Sequence, residues 1–130
     1  MSSVIKEGYF YTKQHEWAKE ENGLLVIGIS DYAQSALGDI VYVDIKQPGA
    51  ALNAGDALGT IESVKAAEDV YAPVAGKIEA ANTDINKQPE SVNKDAYGSW
   101  FVKLSGYDKE GLKGLMDAAA YRTFVESLDH

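Results

Sequence analysis

Residues 58–76 are the most informative part of the chain for its fold, and they read Leu58-Gly-Thr-Ile-Glu-Ser-Val-Lys-Ala-Ala-Glu-Asp-Val-Tyr-Ala-Pro-Val-Ala-Gly76. Two strand-like runs, residues 58–64 and 70–74, lie on either side of the short segment 65–69. Apolar, β-branched runs with so short a connection predict a β-hairpin. Lys65 is then near the hairpin tip, where enzymes can reach its side-chain amine.

Position alone leaves three interpretations of Lys65. Because 11 of the 12 basic residues are lysines, it can be an ordinary solvated side chain. It can carry a covalent modification, since the small neighbours Ser63, Ala66 and Ala67 leave room around its stem. A Schiff-base or general-base lysine would need a buried site that favours the neutral amine, and an exposed hairpin tip does not provide one.

Similar short runs, separated by Gly, Pro, Asn and Asp, recur along the chain and predict antiparallel β structure. They cover residues 9–12, 17–19, 24–29, 41–45, 76–80 and 100–104. Asn22-Gly23 predicts a tight turn between the second and third of these runs, because both residues tolerate positive φ angles. The length of 130 residues predicts a single domain, residues 1–130.

Two helices are predicted within this β pattern. Ser30 is placed to cap residues 31–37, and Gly38 to end that helix. The connection 82–99 is polar and predicts about one helical turn. A second helix is predicted near the C-terminus from apolar residues at helical spacing, expected to face the core: Leu112, Leu115, Met116, Ala119, Phe124 and Leu128.

Composition excludes several classes of function. The chain has no cysteine, so it has no disulfide, thiolate nucleophile or thiolate metal site. A net charge of −8 disfavours nucleic acid and anionic membranes as partners, and the single arginine, Arg122, excludes clamps built from several arginines. The longest apolar runs, residues 24–29 and 40–43, are far shorter than the roughly 20 residues that cross a bilayer.

Metal and independent enzyme chemistry are also not expected. The two histidines, His15 and His130, are too few for a stable zinc shell. No glycine-rich phosphate loop opens a helix, and no Ser, His and Asp set stands out. The first seven residues show neither a secretory nor a transit pattern, which predicts a cytoplasmic protein, or a mitochondrial matrix protein if the sequence is a mature form.

Four segments resemble the H proteins of the glycine cleavage system. The run from Gly59 to Gly76 is similar to their lipoylation segment, whose lysine in E-S-V-K-A carries lipoate. Lys65 lies between Val64 and Ala66, whereas biotin carriers show Met on both sides and lipoyl domains of 2-oxoacid dehydrogenases show Asp-Lys-Ala. The other three segments are Tyr11-Thr-Lys-Gln-His-Glu-Trp17, Ile27-Gly-Ile-Ser-Asp-Tyr-Ala-Gln-Ser-Ala-Leu-Gly-Asp-Ile40 and Glu90-Ser-Val-Asn-Lys-Asp-Ala-Tyr-Gly-Ser-Trp100. The chain departs little from the family pattern: Ser30 stands where Thr is commoner, and Glu68 stands at a position where Ser is frequent.

The resemblance implies an all-β, lipoyl-type barrel-sandwich hybrid with small peripheral helices and a C-terminal helix. It implies lipoic acid on Lys65 and a non-catalytic carrier that moves the aminomethyl group of glycine. The implied partners are glycine decarboxylase (P protein), aminomethyltransferase (T protein), dihydrolipoamide dehydrogenase (L protein) and a lipoylating enzyme. The alternatives are a lipoyl donor or carrier for another enzyme system, and a structural β domain whose lysine is never modified.

Three carboxylates are further candidates for the site. Glu16, beside an aromatic residue in the H-E-W segment, is expected to hold the cationic cargo in a partly dry cleft. Glu62 and Glu68 lie near the lysine and are expected to be recognised by the lipoylating enzyme. A strand glutamate at the surface is the ordinary alternative for Glu16.

Overall fold

The computed structural model describes residues 3–128, and His130, one of the two histidines considered above, lies outside them. Nine strands and four α-helices follow one another along these residues, with one 3₁₀ helix before the last α-helix. They are β1 (Phe10–Tyr11), β2 (Glu16–Glu21), β3 (Leu24–Ile29), α1 (Asp31–Leu37), β4 (Ile40–Ile45), β5 (Ala51–Leu52), β6 (Ala57–Ser63), β7 (Ala67–Tyr71), β8 (Gly76–Ala81), α2 (Thr83–Lys87), α3 (Ser91–Lys94), β9 (Val102–Ser105), the 3₁₀ helix (Glu110–Gly114) and α4 (Ala118–Leu128).

The strands form two antiparallel sheets. The six-stranded sheet has the order β1-β2-β3-β9-β8-β5, and the three-stranded sheet has the order β4-β6-β7. Apolar side chains from both sheets, such as Ile27, Leu58, Ile61, Ile78 and Leu104, belong to one buried cluster. The predicted sheet-rich fold with small helices and a C-terminal helix is therefore confirmed, although the strands do not close into one continuous barrel.

Two local predictions are confirmed. The β2–β3 hairpin turns at Asn22 and Gly23, whose φ angles are 53° and 79°. Helix α1 begins after Ser30, whose hydroxyl accepts a hydrogen bond from the amide of Ala33 at 3.1 Å, and it ends at Gly38, where φ is 79°. Asn22 and Gly23 tolerate the positive φ angles of the turn, and Ser30 supplies the side-chain oxygen that caps the helix.

The predicted C-terminal stripe is wrong in part. The backbones of Tyr11 and Met116 exchange two hydrogen bonds, of 2.8 and 2.9 Å, which keep residue 116 extended and separate the 3₁₀ helix from α4. Helix α4 therefore faces the core with Ala118, Tyr121 and Val125, whereas the predicted contacts Ala119 and Leu128 are exposed. A long-range pairing overrides the local helical pattern here.

Other boundaries also differ from the prediction. The connection 82–99 holds two short helices, α2 and α3, instead of about one turn. Strand β7 lies at Ala67–Tyr71, earlier than the predicted run 70–74. It ends before Pro73, which has no amide hydrogen to donate to a ladder. The two-residue strand β5 was not predicted. Within residues 3–128, no helix combines the length and apolar character needed to cross a bilayer.

Candidate functional site

Lys65 lies at the tip of the β6–β7 hairpin, as predicted. Strand β6 ends at Ser63 and β7 begins at Ala67, and the amide of Ser63 donates to the carbonyl of Ala66 at 2.7 Å. The Ser63 hydroxyl oxygen accepts from the amides of Lys65 and Ala66 at 3.3 and 3.1 Å. Serine therefore supplies the turn chemistry that the alanines cannot, and the Lys65 side chain is exposed.

The stem of Lys65 lies over the end of helix α1. A Cβ atom added at Gly38 would lie 3.7 Å from Cε of Lys65 and 3.9 Å from a methyl group of Val64. The amide of Val64 donates to the carbonyl of Asp39 at 3.0 Å, which ties the tip to the chain that follows α1. Within the described residues, no carboxylate forms an ion pair with the Lys65 amine.

Asn93 of α3 holds the Gly38 segment in place. Its amide nitrogen donates to the carbonyl of Gly38 and to the side chain of Gln34, both at 2.9 Å. Its amide oxygen accepts from the backbone of Ile40 at 2.9 Å. One side chain thus fixes the backbone on which the lysine stem rests, although Asn93 is distant in sequence.

The two carboxylates beside the lysine do not lie together. Glu62 of β6 is paired with Ala67 of β7, and Ile61 is paired with Glu68. Because adjacent residues of a strand point to opposite faces, Glu62 and Glu68 lie on opposite faces of the hairpin. Both are exposed, so either can contact an approaching protein, but a single small contact cannot engage both from one face.

Glu16 is buried, with 2% of its surface exposed, and it is fully hydrogen-bonded. One carboxyl oxygen accepts from the hydroxyl of Thr12 at 2.5 Å, and the other from the amide of Tyr71 at 3.2 Å. Burial raises the pKa of the Glu16 carboxyl, while these hydrogen bonds act in the opposite direction. The ordinary alternative, a strand glutamate at the surface, is therefore wrong.

Two cavities share Gln14 and Tyr71 as lining residues, one beside Glu16 and the other beside the hairpin. The first has a volume of about 590 Å³ and is lined by Glu16, Gln14 and Tyr71 among others. The second, of about 510 Å³, is also lined by Gln14 and Tyr71 and continues to Ala67 and Glu68 on β7. Concave surface is therefore present both beside the buried carboxyl group and beside strand β7 of the Lys65 hairpin.

His15 belongs to a structural hydrogen-bond network. Its backbone has a φ of 73°, and its Nδ1 lies 2.8 Å from the hydroxyl of Tyr121, which lies 2.6 Å from the hydroxyl of Ser30. Burial lowers the pKa of the His15 imidazole. In the part of the chain that the structure describes, no group of three or more His, Cys, Asp or Glu could hold a metal ion.

Four residues at the site had no distinctive sequence signal. Thr12 and Tyr71 bind Glu16, Gln14 lines both cavities, and Asn93 fixes the Gly38 segment. Each acts across a tertiary contact between segments that are distant in sequence, apart from the local pair Thr12 and Glu16. The sequence similarity to H proteins in residues 11–17, 59–76 and 90–100 is the one signal that included all four of them.

A lysine at the tip of a β-hairpin, held by a sheet-rich fold and bordered by a groove, defines a carrier-type domain. The family model described as Glycine cleavage H-protein matches residues 9–128. The chain therefore belongs to the glycine cleavage H-protein family.

Individual relatives agree with this family. The chain is 48% identical over 124 residues to the glycine cleavage system H protein of Leptospira biflexa serovar Patoc, covering 95% of each chain. It is 50% identical over 122 residues to that of Thermoanaerobacter pseudethanolicus, covering 94% of this chain and 97% of the relative. The crystal structure of a glycine cleavage system H protein from Mycobacterium marinum superposes with a TM-score of 0.85 at 30% identity, covering 94% of this chain and 99% of that one.

Proposed function

We propose that Lys65 is the lipoyl attachment site of this chain. As a member of its family, the chain is a non-catalytic lipoyl carrier of the glycine cleavage system. The observation that supports Lys65 is its exposed side chain at the tip of a hairpin that Ser63 and Asp39 hold in place. The residue is exposed to another enzyme, and hydrogen bonds hold the backbone that presents it.

The residues around Lys65 fit a lipoyl group. Ala66 and Ala67 are small and exposed, and Gly38 adds no side chain beneath the stem. When bound, the group would supply a dithiolane that is reduced as it takes up the aminomethyl group of glycine and that is reoxidised after this group has left. Lys65 contributes its amine and a stem of four methylenes, so that the arm extends on the order of 14 Å from the backbone.

The individual partners belong to this proposal. We expect the carrier to serve glycine decarboxylase, the aminomethyltransferase and dihydrolipoamide dehydrogenase in turn, because tethering raises the local concentration of the arm to roughly millimolar at a docked enzyme.

Attachment joins Nζ of Lys65 to the acyl carbon of an activated lipoyl donor. The acyl–oxygen bond of that donor breaks, its leaving group departs with the electron pair, and the amine loses one proton.

Glu16 is proposed to hold the cationic amine of the cargo. What supports this role is that one cavity borders Glu16 and a second, which shares Gln14 and Tyr71 with the first, borders the hairpin. A positive charge beside Glu16 would favour its ionised form and offset the cost of burial. Glu16→Ala should speed the release of the aminomethyl group from loaded protein, with Glu126→Ala as the exposed control, and an equal rate in both would end this assignment.

Glu62 and Glu68 are proposed to be recognised by the lipoylating enzyme. Because they lie on opposite faces of the hairpin, we expect their contributions to differ and to be separable. Glu62→Ala and Glu68→Ala should each slow lipoylation without changing the rate at which a small acylating reagent modifies Lys65. Wild-type lipoylation rates in both variants would contradict this role.

The attachment site is tested with intact and peptide mass spectrometry of protein expressed with lipoate. Lys65→Arg should abolish the mass gain, whereas Lys77→Arg, at an exposed lysine of β8, should keep it. A mass gain that survives in Lys65→Arg would place the lipoyl group elsewhere. An unmodified wild-type chain would support a structural β domain.

The alternative carrier role and the cellular location are separate questions. Lipoylated protein that does not support exchange of glycine with labelled bicarbonate would favour a lipoyl donor or carrier for another enzyme system. A cytoplasmic location and a single domain over residues 1–130 stay predictions. Cell fractionation checks the first, and a single cooperative unfolding transition supports the second.

A further inference from the structure

Three of the most exposed large apolar side chains border the Lys65 hairpin. Val64 is 69% exposed, Val41 57% and Tyr42 48%. We call these three residues the Val64 patch. Among residues 3–128, the only other exposed large apolar side chains are Val4 and Leu128, outside both strands of this ladder. Isolated exposed apolar residues are ordinary on a protein surface, but a group beside one functional residue is a feature to explain.

A β-bulge adds Val41 to this exposed group. Ile40 is paired with Ser63 and Tyr42 with Glu62, so Val41 is an extra residue in β4. Regular alternation along β4 exposes Tyr42 and buries Val43, and the bulge exposes its extra residue, Val41, while Ile40 stays buried. The bulge therefore places two consecutive apolar residues at the end of the ladder from which Lys65 projects.

The Val64 patch is held in place before any partner arrives. The amide of Val64 binds the carbonyl of Asp39, and Asn93 binds the backbone on both sides of that residue, at Gly38 and Ile40. Tyr42 and its neighbours are fixed by the β4–β6 ladder. A preorganised surface loses little conformational freedom when it docks, so its apolar area contributes efficiently to affinity.

The charge around the patch indicates the chemistry of its partner. Residues 39–45 and 57–71, which form the three-stranded sheet and its connections to the tip, include one basic residue, Lys65. The same segments hold five acidic residues: Asp39, Asp44, Glu62, Glu68 and Asp69. The strand register places Asp44, Glu62 and Asp69 on the same face as Tyr42, and Glu68 on the opposite face. A complementary surface would offer an apolar contact surrounded by lysine or arginine side chains.

The short distance between Val64 and the Lys65 side chain indicates which of the partner enzymes would contact the patch. Val64 is the immediate neighbour of Lys65, and its methyl group and the Lys65 stem lie over the same glycine, Gly38. An enzyme that acylates the Lys65 amine must bind the lysine side chain and the adjoining hairpin tip at its active site. Enzymes that use the dithiolane act at the far end, on the order of 14 Å from the backbone.

We propose that the Val64 patch is the docking surface for the enzyme that joins lipoate to Lys65, and that this enzyme presents an apolar contact surrounded by basic side chains. This inference rests on the proposed attachment at Lys65. It extends recognition from the carboxylates Glu62 and Glu68 to an apolar surface made by the β4 bulge and the tip.

Steady-state lipoylation by an ATP-dependent lipoate-attaching enzyme, followed by intact mass, tests the proposal. Tyr42→Ala and Val64→Ala should each raise KM for the carrier about tenfold with little change in kcat, as expected when a central docking contact is lost. Leu128→Ala, which removes a similarly exposed apolar side chain on α4, should leave both constants unchanged. Asp44→Lys should raise KM most at low salt.

Two further measurements separate the possible outcomes. Acylation of Lys65 by a small activated ester of lipoic acid should proceed equally in wild type and in patch variants, and a parallel loss there would mean that the amine itself had changed, which overturns docking. Chemically loaded variants should support glycine exchange at near wild-type rates. Normal enzymatic lipoylation with impaired exchange would assign the patch to the decarboxylase instead, and an unmodified wild type would overturn the proposed function itself.

Discussion

The Lys65 hairpin tip and the segment around His15 and Glu16 show opposite uses of polar chemistry. At the tip, the lysine side chain is exposed and the hydrogen bonds of Ser63 secure only the local turn. At Glu16, both carboxyl oxygens bind protein groups, and no buried side-chain nitrogen or oxygen in residues 3–128 lacks a partner. The tip can therefore change with little effect on folding, whereas the buried segment links function to stability.

The largest expected difference between the two regions is in core packing. Trp17, which follows Glu16, is buried with 2% of its surface exposed. Its indole nitrogen donates to the carbonyl of Ala96, and its ring packs edge-on against Tyr9, with 5.4 Å between the ring centroids. Trp17→Ala should lower the free energy of unfolding by about 3–5 kcal/mol. Val64→Ala at the tip should change it by less than about 0.5 kcal/mol. Urea unfolding of both variants measures the contrast, and equal losses would contradict it.

A smaller difference is expected when one hydroxyl group is removed from each region. Tyr121 lies at hydrogen-bonding distance from His15 and Ser30 in the core, while the exposed Tyr42 has no hydrogen-bond partner among the described residues. Tyr121→Phe leaves the buried Ser30 and the half-buried His15 with fewer partners and should cost about 1–3 kcal/mol. Tyr42→Phe should be neutral. Thermal and urea unfolding compare the two, and a neutral Tyr121→Phe would mean that the network does not stabilise the fold.

The difference between local features and long-range contacts also explains which parts of the fold the sequence could predict. The hairpin with Lys65, the Asn22-Gly23 turn and the capped helix α1 are local features, and turn and cap residues specify them within a few positions. The position of α4 depends instead on the backbone pairing of Tyr11 with Met116, a contact between residues at opposite ends of the chain. Periodicity alone does not contain that information, so the predicted stripe placed Ala119 and Leu128 on the wrong face.

The candidate site also combines a feature that the local sequence predicts with features that depend on tertiary contacts. Lys65 was predicted as the site residue from its segment, and its exposure follows from the hairpin. The burial of Glu16 and its contact with Tyr71 depend on how β2 approaches the edge of the other sheet, which no local pattern describes. The β4 bulge is also invisible in the sequence, because Val41 and Tyr42 look like ordinary strand residues until the register with β6 is known.

The smallest expected effect is the pH dependence that Glu16 adds to stability. Its folded pKa is raised by burial, so between the ordinary value of 4.5 and the folded value the unfolded chain loses a proton that the folded chain keeps. Stability therefore falls as pH rises through that window, and the fall is small because hydrogen bonds from Thr12 and Tyr71 oppose the shift.

Replacement of the carboxyl group isolates this contribution. Glu16→Gln should remove the fall, so that the stability of the wild type relative to this variant decreases from acid to neutral pH. Glu62→Gln, at the exposed hairpin, leaves Glu16 in place and should keep it. Urea unfolding at several pH values above 4 measures both. If the wild type gained stability relative to Glu16→Gln as pH rose, the hydrogen bonds would outweigh burial, and Glu16 would be poised to hold a cation before any cargo arrived.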